Sequence, residues 1–161
     1  MNQMASKSTG RKSISKLVSF GLAGWIAYVF VWYLQYKFGG AEGSVWLFTI
    51  LTDWLGLSGH EMAMRIGTGI AELVTALLVL AGATRVVGAA MSLGIMSGAI
   101  FFHLATPLGI DPYHDGGVLF AEACLTWLAA AAILWIEREA ALSLASRLPV
   151  VGHIAQQLQR A

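Results

Sequence analysis

The chain has 161 residues, 57% of them hydrophobic and 12% charged, with ten Lys and Arg against nine Asp and Glu for a formal net charge of +1. Charge at about half the level usual in soluble domains, with a mean hydropathy of +0.69, makes the bilayer the solvent of this chain. The near-neutral balance gives no footing for a nucleic-acid partner, and a single cysteine, Cys124, excludes an internal disulfide or a thiol relay within the chain.

Residues 1–16 are polar and basic, holding Lys7, Arg11, Lys12 and Lys16, and read as a disordered tail. Residues 17–36 then run for twenty positions without a formal charge. At about 1.5 Å of rise per residue this just crosses a hydrocarbon core of about 30 Å. The run is too long for the core of a signal peptide and no small-residue cleavage site follows it, so it reads as a retained first span.

The next segment is a long connection. Within residues 44–57, Thr49, Thr52, Asp53 and Gly56 recur at spacings of three, four and seven, with Val45, Phe48, Leu51 and Leu55 among the residues of the remaining face. This predicts an amphipathic helix of about 20 Å, too short to span, whose Trp46 and Trp54 suit the membrane interface. It is expected to lie on the outer surface over the mouth of the bundle. A membrane-lying connector without a gating role accounts for the same pattern.

Three more apolar stretches follow at about 66–83, 86–110 and 117–136. The tail 137–161 opens Glu137-Arg138-Glu139 and continues amphipathically towards Pro149, which should break it. Of the ten basic residues, Lys7, Arg11, Lys12, Lys16, Arg85, Arg138, Arg147 and Arg160 fall on one side and only Lys37 and Arg65 on the other. By the positive-inside rule both termini are cytoplasmic. The expected fold is all-α: an integral membrane four-helix bundle of one domain, with an extra interfacial amphipathic helix between the first and second spans.

Three titratable residues lie inside spans, where burial makes them expensive: Glu72, His103 and Glu122. Counted from the expected span ends, they sit roughly 10, 10 and 8 Å below the outer surface. On the second span Glu72 shares a face with Arg65, Thr68, Gly69, Thr75 and Ala76, opposite Ile66, Ile70, Leu73, Leu77 and Leu80. Small and polar residues mark the packed side and aliphatic ones the lipid side. On the third span Ser92, Met96, Ala99 and Thr106 accompany His103, and Gly94 and Gly98 form a GxxxG that can admit a close neighbour. On the fourth, Thr126, Ala129 and Ala130 follow the Glu122 stripe. With Tyr33, Gln35, Tyr36 and Lys37 ending the first span, this predicts an outer-leaflet pocket of two carboxyls, an imidazole and phenols, rimmed by Lys37 and Arg65.

A purely structural network accounts for the same residues, although intramembrane polar contacts are worth only about 0.6 kcal/mol each. A metal site has no Glu-x-x-His pair to support it, and one intramembrane histidine disfavours a bis-histidine haem. The loop Asp111-Pro112-Tyr113-His114-Asp115-Gly116-Gly117 gathers oxygen and nitrogen donors but reads first as a turn.

With these residues in view, the chain resembles the DoxX-like family of small four-helix bacterial membrane proteins over about residues 20–136. The resemblance rests on Gln35-Tyr36-Lys37-Phe38, Gly69-Ile70-Ala71-Glu72, the Gly-x-Thr-Arg turn from Gly82 to Arg85, Ala99-Ile100-Phe101-Phe102-His103, and Leu55-Gly56-Leu57 in the connector. It implies a bacterial inner membrane and Lys37, Glu72 and His103 as pocket residues. It also implies a quinone-like ligand, bound noncovalently, and a redox-enzyme partner. The expectation is a subunit binding a quinone or other small amphipathic molecule, with Glu72 orienting the His103 imidazole and Glu122 as a second proton acceptor. A homo-oligomeric transporter of a small solute or protons, and a structural or assembly protein without ligand, remain the alternatives.

Overall fold

Apolar runs of spanning length, separated by short turns rich in glycine and proline, leave the chain little but helix to form. The computed structural model describes residues 2–146, and among these every regular element is a helix. They are α1 (Asn2–Gly39), α2 (Glu42–Trp54), α3 (Glu61–Leu80), α4 (Arg85–Ala105), α5 (Val118–Ile136) and α6 (Arg138–Ser146). Four of them, over Ile14–Gly39, Glu61–Leu80, Arg85–Ala105 and Val118–Ile136, are long and apolar enough to cross a membrane. The fold is the expected all-α membrane four-helix bundle, with α2 as the additional short helix between the first two spans.

Several boundaries differ from the sequence reading. The tail 1–16, expected to be disordered, is helical from Asn2 onward and continuous with the first span. α3 starts at Glu61 rather than 66, because Glu61 and Arg65 pair at i and i+4 across its first turn. α4 stops at Ala105 rather than 110: Pro107 disfavours helical backbone at the residue before it, and Thr106 is extended with φ −118° and ψ 168°. The break expected at Pro149 lies outside the described residues.

α1 packs against α3 and α5, and α4 packs against the same two, so the four spans close into a ring. Ile26, Phe30, Val79, Ala89, Ala130 and Ile133 meet in its core. The helix faces follow the expected division. Arg65, Gly69, Glu72, Thr75 and Ala76 of α3 are buried, while Ile70, Leu73, Leu77 and Leu80 are exposed on its other side. The GxxxG expectation is corrected: a Cβ on Gly94 or Gly98 would meet nothing within 4 Å, so neither admits a neighbouring helix. The close approach is instead at Gly88, where a Cβ would lie 2.4 Å from the Val79 backbone nitrogen.

At this same end, polar groups lock four helices together. Arg85 is buried and donates to the carbonyls of Val79 and Leu80 at the end of α3, at 3.2 and 3.5 Å. Those carbonyls lack intrahelical donors, and a cation there also complements the helix dipole. The same guanidinium reaches Glu137 Oε1 at 3.3 Å, and the fully buried Ser19 hydroxyl of α1 donates to that oxygen. Arg85 is thus a packing element that closes this end of the ring.

Gly88→Ala is expected to lower stability by about 1–3 kcal/mol, because the clash is with backbone that cannot rotate away. Gly67→Ala, where a Cβ meets nothing within 4 Å, should leave stability unchanged or raised by about 0.5–1 kcal/mol. Thermal unfolding of the detergent-solubilised protein checks both; equal effects at the two glycines would contradict the tight α3–α4 crossing.

Candidate ligand-binding cavity

The other end of the bundle is open inside. The spans diverge around a cavity of about 740 Å³, walled by α1, α2, α3, α4, α5 and the loop 106–117. Small-molecule sites typically occupy about 300–1,000 Å³. Helical periodicity brings Lys37, Glu72, His103, Glu122, Tyr33 and Tyr36, from four different spans, to its surface. The apolar side of α2 supplies Leu47, Phe48 and Leu51, of which Phe48 and Leu51 pack on Leu108. α2 is therefore a wall of the cavity as well as a connector.

The polar groups form a chain across three helices. The Lys37 ammonium of α1 lies 2.8 Å from Glu72 Oε2 of α3. At this separation the ion pair is also the contact that satisfies the buried Oε2. The same ammonium sits 5.4 Å from the centroid of the Tyr33 ring, a cation–π contact. The Tyr33 hydroxyl donates to Glu122 Oε2 of α5 at 2.5 Å. Each buried charge in this chain thus has an opposite or polar neighbour, which a low-dielectric interior demands.

His103 stands apart from that chain. The residue is 4% exposed, and its ring packs edge-on against Phe120 at 5.5 Å and places Nδ1 2.6 Å from the Gly109 carbonyl. A carbonyl only accepts, so Nδ1 carries a proton, and in the tautomer this selects Nε2 is the acceptor. Among the described residues Nε2 has no partner. The early end of α4 at Pro107 is what folds Gly109 back onto the ring; Gly109 takes a positive φ of 69° to do so.

Several expectations are corrected here. Glu72 does not orient His103: its partner is Lys37, and Gly109 holds the imidazole. Arg65 does not line the cavity. It is buried, bonded to Glu61 and to the Lys37 carbonyl, and so caps the end of α1 from the start of α3. Gln35 is exposed, donates to the Trp32 carbonyl at 3.1 Å and lies off the cavity wall. The equal-depth estimate also fails in detail, since Glu72 lies eleven residues from the start of α3 and His103 two from the end of α4. They line one cavity because the loop 106–117 folds over that end.

That loop contributes residues the sequence reading left in a turn. Tyr113 lines the cavity, donates to the Gly43 carbonyl at 3.0 Å and stacks obliquely on Trp46, fastening the loop to α2. The Asp111 and Asp115 oxygens accept the amides of Asp115, Gly117 and Val118. Desolvation acts to raise the Asp111 pKa, but amide hydrogen bonds from Gly117, Asp115 and Gly116 outweigh it and hold the carboxyl below its ordinary value. Among the described residues no three His, Cys, Asp or Glu side chains gather closely enough to hold a metal ion.

The arrangement can take an amphipathic molecule with its apolar body against α2 and its polar atoms towards His103, Glu122 and Lys37. No protein-family model, curated protein or solved structure matches the chain.

Lys37→Met, which strands Glu72 among apolar walls, is expected to cost about 2 kcal/mol or more, and adding Glu72→Leu should recover most of that loss. Equal losses in the single and double variants, by thermal unfolding, would show that the pair is not coupled. For the loop, a carboxyl whose folded pKa is depressed stabilises at and above the unfolded carboxylate range, and that contribution is lost as pH falls through the lower folded value. Protection of the Gly117 amide against hydrogen exchange should therefore fall on acidification, and Asp111→Asn should remove this pH dependence.

Proposed function

We propose that this chain is a DoxX-like subunit of a bacterial inner membrane that binds a quinone-like or other small amphipathic ligand in the cavity and supports a redox-enzyme partner. The observation that carries this reading is the convergence of Lys37, Glu72, His103, Glu122, Tyr33 and Tyr36 on one void of about 740 Å³ with predominantly apolar walls. Polar groups gathered only to specify packing would be expected to meet one another, as Ser19, Arg85 and Glu137 do at the opposite end. Here the contacts of Lys37 with Glu72 and of Tyr33 with Glu122 lie on the wall of a void, and His103 faces it apart from them.

The eight-to-two distribution of basic residues orients the chain with both termini cytoplasmic and the cavity in the outer leaflet. α2 then lies at the outer interface, where Trp46 and Trp54 are exposed. In this arrangement His103 Nε2 and Glu122 contact the ligand's polar atoms, and the aromatic side chains of Tyr33 and Tyr36 contact its ring. The electrons belong to the partner, and no redox group is assigned to this chain.

The test is saturable binding of a short-tailed hydroquinone and its quinone to the purified protein in lipid nanodiscs. Binding of at least one form, weakened about tenfold by His103→Ala through loss of one hydrogen bond, is the expected outcome. Absence of saturable binding by either form, or unchanged affinity in the variant, would remove this reading.

A further inference from the structure

The hydrogen-bond polarity of the cavity is uneven, and it bears on which ligand form fits. Nδ1 of His103 is committed as a donor to the Gly109 carbonyl, which leaves Nε2 as a lone-pair acceptor in the neutral ring. Glu122 receives the Tyr33 hydroxyl on Oε2, and its other oxygen has no partner among the described residues. Glu72 Oε2, with its residue 5% exposed, is held by the Lys37 ammonium at 2.8 Å. Two unengaged acceptors from two different helices, His103 Nε2 on α4 and the second Glu122 oxygen on α5, therefore border the void.

Several donors of the cavity wall are meanwhile engaged. The Tyr33 hydroxyl is on Glu122, the Tyr113 hydroxyl is on the Gly43 carbonyl, and the Lys37 ammonium is paired with Glu72. The hydroxyls of Tyr36, Ser44 and Thr68 also reach the cavity, but a hydroxyl both gives and accepts and does not discriminate. A carbonyl oxygen placed against His103 Nε2 and Glu122 would set lone pair against lone pair. A hydroxyl in the same place satisfies them.

We propose that the cavity selects a hydroxyl-donating ring, a hydroquinone or related phenol, over the quinone of the same shape, with His103 Nε2 and Glu122 as the selecting acceptors. This rests on the ligand class proposed above and adds the direction of its preference. It concerns binding alone; no bond is made or broken and no electron moves.

The experiment is anaerobic titration of nanodisc-embedded protein with three ligands of equal tail length: an alkyl hydroquinone, its quinone and its dimethyl ether. The ether keeps the shape and removes both donors. The expected result is hydroquinone binding about tenfold or more tighter than either of the others, since each missing donor leaves a desolvated acceptor unmatched. Glu122→Gln, which places an amide donor in the wall, should narrow the preference, and His103→Phe, which removes the acceptor while keeping a ring, should narrow it further. Equal affinity for hydroquinone and quinone, or tighter quinone, overturns the selectivity while leaving the ligand class intact. Failure of all three to bind overturns both. An alkylammonium of the same tail binding more tightly than the hydroquinone would show that the acceptors serve a cation, and it too overturns the inference.

Discussion

Lys37 and Glu72 hold one another at 2.8 Å between α1 and α3, and the rest of the cavity is built around that pair. In hydrocarbon an isolated charge costs several kcal/mol, about 2.5–3.5 by insertion measurements, so a chain that keeps both residues must bring their helices into register. The pair fixes the height of α1 against α3. Tyr33, one turn back on α1 and beneath the Lys37 ammonium, then carries the constraint to Glu122 on α5. Three of the four spans are thereby indexed to each other through one run of polar contacts.

The two ends of the bundle solve the same problem differently. At the α3–α4 turn, Arg85, Glu137 and Ser19 satisfy each other directly, and the backbone approach at Gly88 leaves no room between the helices. At the other end the polar groups are tied at the margins, while α2 and the loop 106–117 hold the walls apart. Arg65 belongs with this scaffold. By bonding the Lys37 carbonyl it caps α1, and by pairing with Glu61 it extends α3 past the point where hydropathy alone would end it. The two buried arginines therefore each finish a neighbouring helix, Arg65 for α1 and Arg85 for α3, and neither faces the void.

Periodicity made much of this legible. The buried stripe of α3 and the buried Ser92, Met96 and His103 of α4 follow from spacings of three and four, because a helix in lipid must turn its small and polar residues inward. The residues that would share a cavity could be named from that alone. Their partners could not. A stripe says which side of a helix is buried but not which of two neighbouring helices a given side chain meets, and so Glu72 was open to either His103 or Lys37. The Gly109–His103 contact depends on α4 ending at Ala105, ahead of Pro107, and a continuous apolar run conceals that end. Tyr113 enters through a loop fold that composition does not encode. Gly94 and Gly98 show a motif without its packing, because small residues permit close approach but do not require it; at these positions they leave room for the cavity.

The account stands on a void that a ligand fills, bordered by His103 and Glu122. An experimental density map of the protein in lipid nanodiscs, reconstituted from its native membrane extract, tests this most directly. The expected map shows the 740 Å³ space retained, with non-protein density within hydrogen-bond reach of His103 Nε2 and the Glu122 carboxylate. A map in which α2 and the loop 106–117 have collapsed inward, with Phe48, Leu51 and Phe102 filling the space between Glu72, His103 and Glu122, would contradict it.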